Sequence, residues 1–243
     1  MYQRLVRVPK AEAVADTVAS RLLALIQEKQ ATQERVDICL AGGTAANAMY
    51  ERLAELVANI TIDFTKLHLW WGDERFVPAT DPERNSLQAI ERLARTLPIH
   101  STNIHMMAAK DGRKDSRESA DVYETELGDT RFDLVLLGMG PDGHTASIFP
   151  NHPSFKATNR LVIGVEDAPK PPSERITLTF KALNRTEALW FIVTGEGKAD
   201  ALARVLDGDE SLPAAHAHGE ASTLWFCDEA AASALPTQYH CDF

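Results

Sequence analysis

Two titratable side chains follow one another on a glycine-rich turn near the middle of the chain. Asp142 and His144 belong to the segment Gly-Met-Gly-Pro-Asp-Gly-His at 138–144. An imidazole exchanges a proton near neutral pH, and a neighbouring carboxylate can orient its ring. The pair is therefore a candidate general base with its orienting acid.

An apolar run at 134–137 predicts the strand that positions this turn. Four consecutive apolar residues are typical of a strand that is covered on both faces in a parallel sheet. The glycines and Pro141 then end the strand and force a tight turn. Because open α/β sheets bind ligands beyond the carboxyl ends of their strands, we expect Asp142 and His144 to lie at a binding edge.

The same turn also fits a dinucleotide-binding motif. The spacing Gly-x-Gly-x-x-Gly occupies 138–143, and the acidic residues 166–167 follow at about the right distance. A dinucleotide site also needs a long helix that begins at the third glycine. Pro150 and Pro153 leave room for only about two helical turns, so we favour the general base over nicotinamide binding.

A second glycine turn follows a strand predicted at 36–40. Residues 41–44 read Ala-Gly-Gly-Thr, and an amphipathic helix pattern begins at once. The start of a helix presents free N–H groups and the positive end of the helix dipole, which suit an anion. We therefore predict that Gly42, Gly43 and Thr44 lie near a phosphate. A plain tight turn with Thr44 as N-cap is the alternative.

Charged residues follow an aromatic strand predicted at 66–71. Asp73, Glu74 and Arg75 come directly after it. Three consecutive charges at the carboxyl end of a strand are not expected in a core, so we predict a ligand-facing segment. A solvated turn is the simpler alternative.

Two further cations occupy comparable positions. A proline-rich loop at 168–173 precedes Arg175, and such a stiff loop can hold Lys170 and Arg175 with little loss of entropy. The most apolar strand, at 187–194, ends in a Gly-Glu-Gly-Lys segment that delivers Lys198.

The remaining periodicity supplies the scaffold. Strands alternate with helices, and the length suits one α/β domain over residues 1–243. We predict helices at 11–30, from 44 onward, from 85 to Pro98, at 115–127, after Lys198 and, as a short alanine-rich helix, after 226; further strands are predicted at 104–106, 160–165, 175–180 and 224–226.

Composition excludes several classes of protein. The net charge of −10 argues against nucleic-acid or anionic-membrane surfaces, which require basic patches. The chain shows neither an 18-residue apolar span nor a signal peptide, which predicts a cytoplasmic protein without membrane contact. Three cysteines, Cys39, Cys227 and Cys241, lack metal-ligand spacing, and we expect the first two to be small core residues.

The other histidines are not expected to bind a ligand. His68 is predicted to be structural, while His100 and His105 are predicted to be solvated. His216 and His218 would form a metal pair only if other residues supplied ligands, and a surface loop is the preferred interpretation.

Three segments together resemble a known family. Residues 41–44, 71–78 (Trp-Gly-Asp-Glu-Arg-Phe-Val-Pro) and 138–150 are similar, in order and spacing, to those of the glucosamine-6-phosphate isomerase/6-phosphogluconolactonase family, and of its lactonases in particular. The segments at 171–177 and 195–198 fit as well. The first segment departs from the usual Ser-Gly-Gly-Ser-Thr-Pro, because 41–46 reads Ala-Gly-Gly-Thr-Ala-Ala. Two hydroxyls and the proline are missing, so from this turn we expect backbone rather than side-chain contacts with a ligand.

The resemblance implies a Rossmann-like three-layer α/β/α fold with a mainly parallel sheet, shared with glucosamine-6-phosphate deaminase and ribose-5-phosphate isomerase. It implies a hydrolase that opens 6-phospho-D-glucono-1,5-lactone to 6-phospho-D-gluconate in the oxidative pentose phosphate pathway, with no metal and no cofactor. His144 matches the catalytic histidine and Asp142 its neighbour. Substrate- or phosphate-binding positions match Gly42, Gly43, Thr44, Asp73, Arg75, Arg175 and Lys198. The only partner expected is the sugar-phosphate lactone, and the protein is expected to be a monomer or weak homodimer.

Two alternatives remain on the same fold. In an amino-sugar-phosphate deaminase/isomerase, an aspartate at the Asp73 position would move the proton, but a tyrosine would be expected at Arg75 and Phe-Asn-Glu-Pro at 147–150. A sugar-phosphate sensor of a transcription regulator would need a helix-turn-helix segment, whereas the chain before Val36 has room for only one helix.

Overall fold

Two β-sheets and six α-helices make up the framework of the computed structural model within the residues it describes, which are 2–58, 60–94 and 96–236. The strands are β1 (Tyr2–Val8), β2 (Val36–Leu40), β3 (Leu67–Trp71), β4 (Asp73–Arg75), β5 (Phe132–Gly138), β6 (Val162–Val165), β7 (Arg175–Leu178), β8 (Thr186–Val193) and β9 (Ser222–Asp228). The helices are α1 (Ala11–Gln30), α2 (Thr44–Val57), α3 (Asn85–Leu93), α4 (Ser116–Leu127), α5 (Phe180–Leu183) and α6 (Ala199–Leu206).

The larger sheet has six strands in the order β1-β9-β8-β5-β2-β3, and all of its pairings are parallel. The smaller sheet is antiparallel, in the order β4-β7-β6. Parallel strands place their carboxyl ends on one edge, so the segments that follow β2, β5 and β8 converge there.

The central strand β5 is buried on both faces, as its apolar run predicts. Leu134 and Leu136 pack with α1, α2 and α3 in one core. Val135 and Leu137 point the opposite way and pack with α4, α6 and the smaller sheet in a second core. Two cores on either side of one sheet give the predicted three-layer α/β/α arrangement.

Several local predictions need correction. Residues 104–106 contribute a single bridge, between Ile104 and Leu69, rather than a strand. The alanine-rich stretch after β9 forms turns instead of a helix, and Cys241 lies outside the described residues. The edge strand β1 was not predicted. Cys39 and Cys227 are buried free thiols, as expected.

His105 is not on the solvated surface, which corrects another prediction. Its side chain is only 12% exposed and its Nδ1 lies 2.6 Å from a Glu126 oxygen. Its ring stacks on that of Trp70 with ring centroids 3.7 Å apart, and its Nε2 lies 3.0 Å from His68 Nδ1. His68 is therefore structural, as predicted, but its partner comes from a distant segment.

The charged segment at 73–75 forms strand β4, and part of it is fully buried, contrary to expectation. Glu74 is 0% exposed. Its carboxylate accepts hydrogen bonds from the Asn85 and Ser86 amides at 2.6 and 2.9 Å, and the Arg84 guanidinium lies 3.5 Å away. Burial raises the pKa of Glu74, while Arg84 and Ser86 oppose that rise. The carboxylate thus ties the start of α3 to the smaller sheet.

Replacing Glu74 with alanine is expected to lower the free energy of unfolding by about 3–5 kcal/mol, because Arg84 would keep a buried charge without its carboxylate partner. Urea unfolding followed by circular dichroism measures the change. Glu55→Ala, which removes an exposed ion pair with Arg52, is the matched control and should have little effect. Equal stability of the Glu74→Ala variant and the wild type would contradict this role of the buried carboxylate.

Within the described residues, no helix combines the length and the apolar character needed to span a membrane. The same part of the chain holds no cluster of three or more histidine, cysteine or acidic side chains arranged for a metal ion. His216 Nε2 donates to the Glu210 carbonyl at 2.8 Å, and its ring packs against Phe155 and Phe180, which is a structural environment.

Candidate active site

A cavity of about 450 Å³ opens at the carboxyl edge of the larger sheet. The turns after β2, β3, β5 and β8 and the loop before β7 all contribute to its wall. Its polar and glycine lining residues include Gly42, Gly43, Thr44, Asp73, Arg75, Asn85, Gly140, His144, Lys170, Arg175 and Lys198. Every predicted site residue except Asp142 therefore lines this one cavity, and Asp142 contacts it through His144.

The turn after β5 is closed by its own backbone. Gly140 N donates to the His144 carbonyl at 2.9 Å, and Gly143 N donates to the Gly140 carbonyl at 3.0 Å. A Cβ atom on Gly140 would lie 2.0 Å from His144 Nδ1, so glycine is required for the ring to occupy this position. The residues directly after Gly143 form turns, and no helix begins at this glycine. The requirement for a dinucleotide site is therefore unmet, as the sequence indicated.

Asp142 orients the His144 imidazole. The distance from His144 Nδ1 to Asp142 Oδ1 is 2.5 Å, and the ring packs on Phe149 with centroids 4.8 Å apart. Two lone pairs cannot approach so closely, so Nδ1 carries the proton that it donates to the carboxylate. The lone pair is then on Nε2, which has no hydrogen-bond partner within the described part of the chain.

Lys170 contacts both members of the Asp142–His144 pair. Lys170 Nζ donates to Asp142 Oδ1 at 3.0 Å and lies 3.2 Å from His144 Nδ1. Burial alone would raise the pKa of Asp142, but the hydrogen bonds and charges of His144 and Lys170 outweigh it and hold that pKa well below its usual range. Sequence patterns place Lys170 in a stiff loop before Arg175, but they do not show that the loop folds back onto Asp142.

Arg175 is almost fully buried and has structural contacts of its own. It is 4% exposed, and its guanidinium donates to the carbonyls of Lys170, Pro171 and Pro172 at 3.0, 3.2 and 3.1 Å. The guanidinium also lies 5.5 Å from the centre of the Phe149 ring. Burial lowers the pKa of Arg175. Arg175 therefore fixes the loop that carries Lys170, in addition to lining the cavity.

Asp73 and Arg75 are anchored by neighbouring groups. The Asp73 carboxylate accepts from Ser147 Oγ at 2.6 Å and from Asn85 Nδ2 at 3.3 Å. Arg75 Nη1 donates to the Glu83 carbonyl at 2.7 Å. Both side chains line the cavity, but the two Asp73 oxygens already have donors.

The glycine turn after β2 leads directly into a helix. Gly43 adopts a φ of 97°, which favours glycine, and occupies the N-cap position of α2. Thr44 is the first helical residue, so its predicted role as N-cap is wrong. No side-chain cap hydrogen bond occupies the N–H groups at this end, and the turn faces the cavity.

Lys198 lies in a short 3₁₀ turn at Glu196–Lys198 after β8. Strand β8 is on the opposite side of β5 from β2 and its glycine turn. The Lys198 side chain is half-buried. Burial and the nearby charge of Lys170 lower the pKa of Lys198, against the attraction of Asp142. No hydrogen bond from this ammonium group occurs within the described residues, so it is available to a ligand.

The cavity has an electrostatic character opposite to that of the whole chain. Its described lining holds four cationic side chains, Arg75, Lys170, Arg175 and Lys198, and one carboxylate, Asp73. The chain as a whole has a net charge of −10. Such a local concentration of cations at a helix start suits a small anionic ligand such as a phosphate.

A parallel α/β sheet with an oriented imidazole in a cationic cavity defines an α/β enzyme that acts on a small anionic substrate. A family model described as glucosamine-6-phosphate isomerases/6-phosphogluconolactonase matches residues 9–225. The chain belongs to this family.

Relatives and solved structures agree with this placement. A protein of Streptomyces coelicolor named 6-phosphogluconolactonase is 43% identical over 239 residues, covering 93% of this chain and 92% of its own length. A Mycobacterium tuberculosis protein of the same name is 40% identical over 241 residues, covering 94% and 97%. The crystal structure of the Thermotoga maritima 6-phosphogluconolactonase superposes with a TM-score of 0.81 at 29% identity, covering 93% of this chain and 99% of that one.

Proposed function

We propose that this protein hydrolyses 6-phospho-D-glucono-1,5-lactone to 6-phospho-D-gluconate, with His144 as the general base. The observation that carries the proposal is the free Nε2 of an Asp142-oriented imidazole in a cavity lined by four cations. Relatives of this chain that bear the lactonase name are matched over nearly their whole length, which supports the same assignment.

The base and the substrate carbonyl define the first half of the reaction. His144 Nε2 removes a proton from a water molecule as the water oxygen bonds to the lactone carbonyl carbon. The resulting imidazolium is stabilised by the Asp142 carboxylate, 2.5 Å from Nδ1. The carbonyl oxygen becomes an oxyanion, which the cationic lining of the cavity favours.

Collapse of the tetrahedral intermediate completes the reaction. The bond between the carbonyl carbon and the ring oxygen breaks, and the His144 imidazolium returns its proton to that oxygen. The product is an open-chain hydroxy acid, which ionises and releases one proton to the solvent. The net reaction consumes one water molecule and regenerates the neutral imidazole, so no further reactant is required.

The phosphate supplies orientation rather than chemistry. Lys198, Arg75, Arg175 and the free N–H groups of the turn at Gly42, Gly43 and Thr44 are the groups proposed to hold it. Fixing the phosphate places the distant lactone carbonyl against His144, which converts binding energy into orientation.

Replacing Lys198 with methionine is expected to raise KM roughly 10- to 100-fold with a smaller effect on kcat, because a charge-assisted contact to the phosphate is lost. Initial rates at varied lactone concentration measure the change. Lys181→Met, which removes an exposed ammonium bonded to the Asn159 carbonyl, is the control. An unchanged KM for the Lys198→Met variant would show that this ammonium does not bind the phosphate.

The activity is tested with a pH-stat on freshly prepared lactone, corrected for spontaneous opening. We expect enzyme-dependent release of acid that saturates with substrate. Absence of acceleration by the purified protein would refute the proposal.

A deaminase/isomerase is the second candidate, since a monomeric glucosamine-6-phosphate deaminase has the same fold, with a TM-score of 0.80 at 20% identity. Proton transfer in that reaction would use Asp73. Both Asp73 oxygens already accept hydrogen bonds, from Ser147 and Asn85, which disfavours it as a free base. Release of ammonia from glucosamine 6-phosphate would decide for this candidate.

Cytoplasmic location and a monomeric or weakly dimeric state stay predictions of the sequence. Analytical ultracentrifugation across a concentration series tests the second.

A further inference from the structure

A lysine ammonium beside a general base is unexpected, because its charge works against protonation of the base. Lys170 Nζ lies 3.2 Å from His144 Nδ1, on the side of the ring that faces away from Nε2. Its position therefore indicates a role that acts through the Asp142–His144 pair.

Lys170 and His144 share one acceptor atom. Both Lys170 Nζ and His144 Nδ1 approach Asp142 Oδ1, at 3.0 and 2.5 Å. Two donors on one oxygen fix the carboxylate from two directions, which limits its rotation. A carboxylate held in this way holds the imidazole in turn, with Nε2 toward the cavity.

Several hydrogen bonds hold the loop that carries Lys170 in place. Arg175 donates to the carbonyls of Lys170, Pro171 and Pro172, and Ala168 N closes the loop on the Ser173 carbonyl at 2.9 Å. Phe149 contacts both the Arg175 guanidinium, 5.5 Å from its ring centre, and the His144 ring, with centroids 4.8 Å apart. The loop and the turn that carries His144 are therefore braced against the same aromatic ring.

We infer that Lys170 is a positioning residue of this active site: it holds Asp142 against His144 Nδ1, and its positive charge disfavours the protonated form of the ring. The inference rests on the proposed function and specifies how its base is kept ready. Asp142 favours the imidazolium from 2.5 Å, and Lys170 opposes it from 3.2 Å.

Four charged groups surround the His144 ring on the elements packed around it. Asp142 is on the same turn, Lys170 is on the loop before β7, Arg175 contacts the Phe149 ring on which His144 packs, and Lys198 follows β8. Three of the four are cations. Lys170 is the cation that directly contacts both the ring and its carboxylate, so its removal should change the protonation of His144 more than removal of either other cation.

The test compares Lys170→Met, Lys170→Gln and Lys170→Arg with wild type and with Lys110→Met, a control that removes an exposed lysine paired with Glu174 next to the same loop. The readout without substrate is the pH midpoint of the His144 ring nitrogens in ¹⁵N NMR. The readout with substrate is the pH dependence of kcat/KM on the lactone. Circular dichroism and thermal unfolding show that each variant is folded.

For Lys170→Met we expect the His144 midpoint and the acidic limb of the kcat/KM profile to move to higher pH by about one unit, and kcat to fall by roughly tenfold or more while KM changes little. Lys170→Gln, which retains a donor but no charge, should show the shifted profile. Lys170→Arg should restore the wild-type profile, and Lys110→Met should not alter it.

A wild-type midpoint and profile in Lys170→Met would overturn the inference, as would a large rise in KM with an unchanged profile, since that result would make Lys170 a phosphate ligand. The NMR titration needs no turnover. A shifted midpoint in a protein that does not hydrolyse the lactone would therefore sink the proposed function, whereas an unshifted midpoint in an active enzyme would sink the role of Lys170.

Discussion

A His144→Ala variant is expected to lose about 10²–10⁴-fold in kcat on 6-phosphogluconolactone, with KM little changed. The reason is that His144 is the one imidazole in the described lining of the cavity and has a free Nε2, while the cations that are proposed to hold the phosphate come from other elements. Binding of the substrate should therefore survive the loss of the ring.

The measurement is the initial rate of acid release, corrected for spontaneous opening, at saturating substrate. His100→Ala, which removes an exposed histidine outside the cavity, is the control and should behave as wild type. A His144→Ala enzyme of normal kcat would remove the general-base assignment. A variant with normal kcat but a much higher KM would instead make His144 a binding residue.

An Asp142→Asn variant is expected to have the second-largest effect, a fall in kcat of about 10²-fold or more. The amide has the size of the carboxylate but can donate to Nδ1, which places the proton on Nε2 and removes the base. It also removes the charge that stabilises the imidazolium and the acceptor of Lys170. Asp121→Asn, at an exposed ion pair with Arg160, is the control for loss of one negative charge.

The contribution of Asp142 to the stability of the fold depends on pH in a defined direction. The pKa of Asp142 is lowered in the folded protein, so the carboxylate stabilises the fold at pH values above its unfolded pKa of about 3.9. That stabilisation is lost as the pH falls below this value toward the folded pKa. Titration of Asp142 should therefore leave no step in the rate profile between about pH 5 and pH 8. Titration of the Asp142 carboxylate itself within that window, followed by ¹³C NMR of its carboxyl carbon, would contradict the assignment.

The central strand and its turn are the part of the site that sequence predicts best. The four apolar residues 134–137 need no distant partner to be recognised as a buried strand, and the glycines that follow determine where His144 is placed. The same local logic predicts the helix start at Gly43 and the strand end before Lys198. Parallel strands then bring these separate segments to one edge of the sheet.

Other features depend on pairings between distant segments. Strand β4 exists because Asp73–Arg75 pairs with Arg175 to Thr177, about 100 residues further along the chain. Glu74 is buried because Arg84 and the start of α3 satisfy its charge, so three consecutive charges misled the prediction. The contact of Lys170 with Asp142 likewise requires the folded loop. His105 is largely covered by Trp70 and Glu126, neither of which is near it in sequence.

The resemblance to lactonases supplies the substrate, while the geometry supplies the roles. Arg175 illustrates the difference, since its match to a substrate-binding position does not reveal that its donors hold the loop of Lys170. Its replacement should therefore disturb both substrate binding and the base, rather than KM alone.

A crystal structure of the wild-type protein with 6-phosphogluconate bound tests the central claim most directly. We expect the C1 carboxylate within hydrogen-bond distance of His144 Nε2, about 3 Å, and the phosphate in contact with Lys198 and the N–H groups of the turn at Gly43. A product bound with its phosphate on His144, or outside this cavity, would contradict it.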